Sequence, residues 1–487
     1  MSAFTIAFQV PNLMRALFAD AALQGAFVPV FTELLERGER KEAFRVASSL
    51  CLLIILGLGS LTLVFVIAAP AVMQLVAPGF ASQPLLRDLT VGLSQLMFPI
   101  VLLMALSGVV VGMLNSFEHF TVPALAPVAW NLVIIAAMVG LSPLFEGPTQ
   151  IYTYGWGVLV GTVVQLVLPM PWLRGRGGRL SFVFDWRNPY VRRVLKLMLP
   201  VTLALGLINF SLLINSFFGT LVDPEAPAAI DKAFRIYQLP QGLFSVAVAT
   251  ILFPTLSRYA ARGAYSSLRH TMANGIRQIC LLLIPSAVFM AVLAEPITRL
   301  VYQRGAFNAA ATDLVSQAMF WWSFSLPFQG VSLLFSRTFF SLQRPWQTTL
   351  LAVGDLSVNA LVALALYAPF GIAGVVLGTV LGTIGMTVVQ GVLLRGHLQG
   401  IEGTQTLATV AKILVASALL GVVSYVVWRE LASVVGGGGF AEIVSLGGAM
   451  LGGLFVYGAT VWLLKVHEAK QIVQLVAGRF LQSKSGS

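Results

Sequence analysis

The chain has 487 residues, of which 57% are hydrophobic and only 10% charged, with a mean hydropathy of +0.88. Soluble domains carry roughly 25% charged residues, so the composition excludes an ordinary soluble protein and points to an all-α, polytopic membrane protein. The net charge of +11 then reads as Lys and Arg collected in cytoplasmic loops beside anionic lipid, and nucleic acid is not an expected partner. Cys51 and Cys280 both lie in apolar runs and imply neither a disulfide framework nor a metal site.

A hydrocarbon core takes about 20 apolar residues per helix. On that measure helices are predicted over 3–34, 46–69, 89–114, 121–143, 151–173, 194–221, 232–257, 271–293, 312–341, 347–368, 371–394, 407–428 and 441–464, or ~13 spans. No soluble domain is left over. The first span is broken by Pro11 and Pro29 and carries Arg15 and Asp20 deep inside it. A charge at that depth costs several kcal/mol unless it is paired or faces water, so it marks a functional position. Asn12 and Gln24 nearby suggest a water-lined wall; an Arg15–Asp20 structural pair or a snorkelling Arg15 is the plainer alternative.

Basic residues alternate between loops, 20 on one side and 5 on the other. The side with 20 is expected to be cytoplasmic, which starts the first helix outside and ends the tail inside. A start outside, with no basic segment before it, suggests that one N-terminal helix is missing from this chain.

The chain also repeats itself. Val28-Pro29, Glu36-Arg37-Gly38 and Ala69-Pro70 are echoed about 225 residues later by Phe253-Pro254, Ala261-Arg262-Gly263 and Glu295-Pro296. Further on, the run from Gly157 to Val163 is matched by the run from Gly374 to Val380. The offset spans an even number of helices, so the halves share one orientation. The expected fold is two pseudo-symmetric helical lobes around a central cavity, working by alternating access, plus two extra C-terminal helices. The boundaries predicted are 1–175, 189–396, 405–466 for the extra pair, and 467–487 for a cytoplasmic tail.

The repeat partner of the opening stretch, 231–258, carries its own early arginine, Arg235, followed by Pro240 and Pro254. Arginine is a forked donor suited to phosphate and pyrophosphate. One arginine per lobe suggests an anionic head group held in the cavity; the plainer alternative makes Arg235 an interfacial residue beside Asp231.

Several runs together resemble a known family. They are Ala3-Phe4, Pro11-Asn12-Leu13, Arg15, Leu17-Phe18-Ala19, Ala26-Phe27-Val28-Pro29-Val30, Ala77-Pro78-Gly79-Phe80, Pro123-Ala124-Leu125-Ala126-Pro127 with Asn131, and Arg235 through Pro240-Gln241-Gly242. This pattern resembles the MurJ (MviN) lipid II flippases of bacterial cell-wall synthesis, within the multidrug/oligosaccharidyl-lipid/polysaccharide exporter superfamily. The resemblance implies fourteen helices, two six-helix lobes, and an extra pair forming a groove for the polyprenyl tail. It implies that Arg15 and Arg235 contact the pyrophosphate, with Asn12, Asp20 and Gln238 beside them. The chain departs from the family in lacking the first helix, and in having Ser2, Phe234 and Gln238 where acidic residues are usual. The implied partners are lipid II, membrane lipids and other cell-wall synthesis proteins; the implied location is the bacterial cytoplasmic membrane.

Asp355 and Asn359 are four apart and share a helix face. With Asn215 and Thr379 they form a possible cation or proton site, against the alternative of plain interhelical hydrogen bonding. His119, His270, His397 and His467 are scattered, and no Walker A motif is present, so no enzyme and no cofactor are expected. The energy source expected is the membrane potential or a Na+ or H+ gradient. The function read from the chain is lipid II flipping from the inner to the outer leaflet. The alternative is an ion-coupled exporter of drugs or of another polyprenyl-linked oligosaccharide, whose cavity would carry carboxylates and aromatics in place of paired arginines. Bulky substitutions such as Gly452→Trp are expected to obstruct the tail groove.

Overall fold

A computed structural model describes residues 1–469 apart from 19, 20, 177, 179, 182, 306, 437 and 467. Every regular element among the described residues is helical. By contact the chain divides into two units, Met1–Pro227 and Ala228–Ser487.

The first unit opens with α1 (Ser2–Phe18) and α2 (Ala21–Glu36), which together occupy the expected 3–34 span, with Pro11 inside α1 and Pro29 inside α2. Then come α3 (Arg40–Val76), α4 (Pro84–Met97), α5 (Ile100–Ser116), α6 (Thr121–Gly140), α7 (Ile151–Val167) and α8 (Pro189–Val222). The helix α3 runs 37 residues, well beyond the predicted 46–69, because its polar first turns stay helical outside the apolar stretch that hydropathy detects. Asn188 caps α8 by accepting a hydrogen bond from the Tyr190 amide at 2.9 Å, and its own amide donates to Glu42 on α3 at 2.6 Å. A core of Phe27, Phe31 and Phe44 packs ring against ring with Phe117. Gly79 sits in a short 3-10 turn, Pro78–Phe80, where an added Cβ would lie 1.7 Å from the Thr220 carbonyl oxygen, so only glycine lets this turn rest on the end of α8. The repeat sets α8 at the head of the second lobe, yet α8 packs on α1, α2 and α3.

The second unit contains α9 (Ala226–Pro240), a π-helical turn at Gln241–Ser245, α10 (Val246–Ala261), α11 (Tyr265–Val292), α12 (Ala294–Tyr302), α13 (Ala309–Ser323), α14 (Leu326–Ser341), α15 (Pro345–Leu398), α16 (Gly403–Val435) and α17 (Gly439–Leu463). Pro240 has no amide to give the carbonyl one turn back, and the ladder widens to the π spacing directly after it. The helix α15 is two predicted spans in one, bent at Gly371 with φ +56° and ψ −135°. The short helix α12 was not expected: at 9 residues it is too short to span, and it buries Ala294, Pro296 and Ile297 while Arg299 pairs with Glu295 on its open side.

Among the described residues nine helical segments are long and apolar enough to cross a membrane. They cover ten of the predicted spans, since 346–398 holds two. The other three are α8 and the pairs α1–α2 and α13–α14, whose single helices are each under 18 residues.

The extra helices pack chiefly on each other, with α16 also on α11. Ser424 donates to the Ala449 carbonyl at 3.0 Å across the pair, and the Tyr457 hydroxyl donates to the Leu281 carbonyl of α11 at 2.6 Å. Gly452, expected beside the tail groove, turns instead toward α16, where its Cβ would meet Val427 at 3.5 Å and Val423 at 3.8 Å. A tryptophan there would wedge the pair apart. Beyond its first residue, Gly439, the glycines of α17 that face open space are Gly447 and Gly458.

Candidate functional site

In the first unit, α1 carries Gln9, Asn12 and Arg15 at three-residue intervals, so all three lie along one helical stripe. The Arg15 guanidinium donates to the Asn12 side-chain oxygen through Nη2 at 2.8 Å and Nε at 3.2 Å. Gln9 donates to the Ser216 hydroxyl of α8. Thr202 of α8 donates to the Leu17 carbonyl at 2.8 Å. The stripe therefore runs through a polar seam with α8, and Asn12 and Arg15 are both half-buried. Asp20 lies outside the described residues. Gln9 was missed in the sequence, although its position three residues before Asn12 is the signal that would have found it.

In the second unit, Asp231, Arg235 and Gln238 make a comparable stripe on α9 at i, i+4 and i+7. Arg235 Nε donates to Asp231 at 2.9 Å, and the arginine side chain is 66% exposed. The opposite face buries Ala233, Ile236 and Tyr237. Phe234 and Tyr237 stack with each other and lie against Trp322, while the Tyr237 hydroxyl shares a hydrogen bond with Ser325 at 3.1 Å. Phe234, which departs from the acidic residue of the family pattern, is thus an anchor for the helix. Tyr302 on α12 donates to the Lys232 carbonyl at 3.2 Å. Burial raises its phenol above the usual range; Arg235 opposes that shift and Asp231 reinforces it. The plainer reading set Arg235 beside Asp231 as an interfacial residue; the two form an ion pair on the exposed face of the helix.

Asp355 and Asn359 do share a face, as their spacing predicted, and that face meets the second limb of α15. A Cβ at Gly382 would lie 2.5 Å from Asp355 Oδ1, and one at Gly378 would lie 2.7 Å from Asn359 Oδ1. With Gly374, whose Cβ would strike the Leu366 carbonyl at 2.0 Å, these glycines form a four-residue repeat that lets the two limbs touch backbone to backbone. Thr379 follows Gly378 on that limb. Asn215 belongs to the first unit, where it is fully buried on α8. Asp355 Oδ1 is buried with no hydrogen-bond partner among the described residues.

The family model described as "Lipid II flippase MurJ" matches residues 1–437. The chain is similar to a probable lipid II flippase MurJ of Rhizobium meliloti, at 30% identity over 436 residues, covering 87% of this chain and 79% of that one. It is also similar to the lipid II flippase MurJ of Burkholderia cenocepacia, at 30% identity over 389 residues and 78% and 74% coverage. Among solved structures, a lipid II flippase MurJ in an inward closed conformation superposes with a TM-score of 0.77 at 21% identity, over 97% of this chain and 93% of that one. An inward-facing multidrug transporter of the MATE family superposes with a TM-score of 0.66 at 16% identity, over 83% of this chain and 91% of that one. These two share the fold. The family match over most of the length carries the assignment: the chain is a multi-pass membrane protein that belongs to the lipid II flippase MurJ family.

Proposed function

We propose that the chain carries lipid II from the inner to the outer leaflet of the cytoplasmic membrane by alternating access. The family assignment makes it a transporter, not an enzyme. The observation that supports the residue-level reading is the pair of arginine-bearing stripes on α1 and α9, helices the sequence repeat relates to each other. The substrate's pyrophosphate is the group a guanidinium fork suits best. Arg15, supported by Asn12, and Arg235, with Gln238, are the residues proposed to contact it. Asp20 is proposed beside Arg15. Asp355 and Asn359, with Thr379 and Asn215, are proposed to hold a coupling Na+ or H+, with the membrane potential as the other energy source. The lobes 1–175 and 189–396, the helix pair 405–466 as tail groove, a cytoplasmic tail over 467–487 and delivery to cell-wall synthesis proteins complete the proposal. The drug-exporter alternative rests on fold likeness at 16% identity, and paired arginines do not suit cationic cargo.

The test is complementation of a flippase-depleted strain. Arg15→Ala and Arg235→Ala are each expected to abolish growth at unchanged membrane levels, while the lysine variants, which keep charge but lose the fork, retain part of it. Full growth of either alanine variant would defeat the assignment of that arginine.

A further inference from the structure

A further polar constellation lies in the second unit, on helices that carry neither arginine stripe nor Asp355. On α11, His270, Asn274 and Arg277 fall at i, i+4 and i+7; on α16, Gln405, Thr409 and Lys412 repeat that spacing. The two stripes line a cavity of about 240 Å³, bordered also by Lys465, Val466 and Glu468 just past α17. A cavity able to hold a water needs only ~10–15 Å³ on such a measure, so this one has room for a tetrahedral oxyanion with its hydration. Helix packing alone would leave an apolar seam here, not six facing polar side chains.

The donors predominate. Arg277 is 3% exposed, yet it carries a permanent charge. Its Nε donates to Glu468 at 2.5 Å, and Glu402 lies 3.6 Å from its Nη1. That Nη1 makes no hydrogen bond among the described residues, and the residue lines the cavity. Glu402 also accepts a hydrogen bond from His270 Nδ1 at 3.1 Å. Lys412 donates to the Leu464 carbonyl at 3.1 Å and keeps two further N–H groups. Arg277, Lys412 and Lys465 thus outnumber the carboxylates Glu402 and Glu468, before His270 is considered. Gln405 is the third residue of α16, a 33-residue helix, so the positive end of its dipole lies beside the cavity as well.

We propose that this cavity binds a phosphate group, supplied by an anionic phospholipid head group or by free phosphate. It sits at the start of α11, the start of α16 and the end of α17, where helix ends meet the head-group layer of a membrane. The site is independent of the flipping arginines: its residues lie on other helices and nothing in the substrate reading uses them.

The test places a cysteine in the cavity. Thr409→Cys, in full-length protein with Cys51→Ser and Cys280→Ala, is reconstituted in phosphatidylcholine nanodiscs and its modification by a water-soluble maleimide is timed. Adding phosphatidylglycerol to the discs, or inorganic phosphate to the buffer, is expected to slow the reaction about tenfold, a free-energy difference of ~1.4 kcal/mol. Slowing by phosphatidylglycerol alone identifies a lipid head group; slowing by phosphate identifies a soluble ion. Lys412→Gln with Lys465→Gln should erase the protection. An unchanged rate under both conditions, or protection that survives loss of both lysines, overturns the site. If Thr409→Cys does not fold, calorimetric titration of wild type and Lys412→Gln with inorganic phosphate and with dihexanoyl phosphatidylglycerol decides the same question: equal heats in the two proteins overturn it.

Discussion

Arg15 and Arg235 are held in different ways, and the difference sets what each substitution should do. Asn12 gives Arg15 a neutral acceptor for two donors, which orients the fork without adding charge. Hydrogen bonds from a charged donor contribute about 1.5–3 kcal/mol, and the half-exposed setting discounts this. Asn12→Ala is therefore expected to raise the lipid II concentration for half-maximal flipping by roughly tenfold, equivalent to ~1.4 kcal/mol, with the maximal rate retained. Flipping assays in proteoliposomes across a range of lipid II densities would show it, and a loss of maximal rate alone would contradict it. Arg235 faces a carboxylate on an exposed helix face. Exposed ion pairs contribute about 0–1 kcal/mol, so a pyrophosphate can take the place of Asp231 at small cost. Asp231→Asn should leave thermal stability nearly unchanged and strengthen lipid II binding; weaker binding would mean that Asp231 positions the arginine. The i, i+4 spacing of Asp231 and Arg235 made this pair legible in the sequence. The Gln9–Ser216 contact was not, because 207 residues separate the partners.

At the scale of elements, close backbone contact decides the sign of otherwise similar changes. Within a helix, Gly→Ala ordinarily stabilises by up to about 1 kcal/mol. Gly385 has open space around its would-be Cβ, whereas Gly382 faces Asp355 Oδ1 at 2.5 Å and the Asp355 carbonyl at 2.9 Å. Gly385→Ala is thus expected to raise the melting temperature of the purified protein, and Gly382→Ala to lower it, with overpacking costing about 1–3 kcal/mol. Two shifts of the same sign would show that the limbs of α15 are not packed as described. The same reasoning separates positions on α17. Gly452→Trp should loosen the α16–α17 pair and lower stability, because Val423 and Val427 stand in its way. Gly458→Trp projects into open space and should leave stability intact; if the pair holds the polyprenyl tail, it slows flipping of long-tailed lipid II more than of a short-tailed analogue. Equal slowing of both would remove the groove from the proposal.

For the whole molecule, the 20-to-5 split of basic residues supports a proposed orientation with the α10–α11 connection in the cytoplasm and the α6–α7 connection outside. Single cysteines at Ser266 and Thr149, both exposed, test it in intact cells. A membrane-impermeant thiol reagent should label Thr149→Cys and leave Ser266→Cys unlabelled until the cells are opened. The reverse pattern would invert the topology.

The sequence alone determined the class of the protein, the positions of its apolar spans, the internal repeat and the family. The class and the spans are written in composition and periodicity, which burial in lipid imposes on every helix in turn, whereas the family is carried by particular residue runs such as Pro11-Asn12-Leu13 and Ala26-Phe27-Val28-Pro29-Val30. It also placed Asp355 and Asn359 on one face, since helical spacing is local. What only the tertiary structure decided depends on which helix lies against which. Hydropathy cannot distinguish Gly447 and Gly458 of α17, which meet open space, from Gly448 and Gly452, which meet Val427, for all are apolar to lipid. It cannot see α12, because 9 residues fall below the length of a span. Nor does it join His270, Asn274 and Arg277 to Gln405, Thr409 and Lys412. Each stripe alone reads as a solvated helix end, and only the packing of α11 against α16 turns the two into one donor-rich cavity.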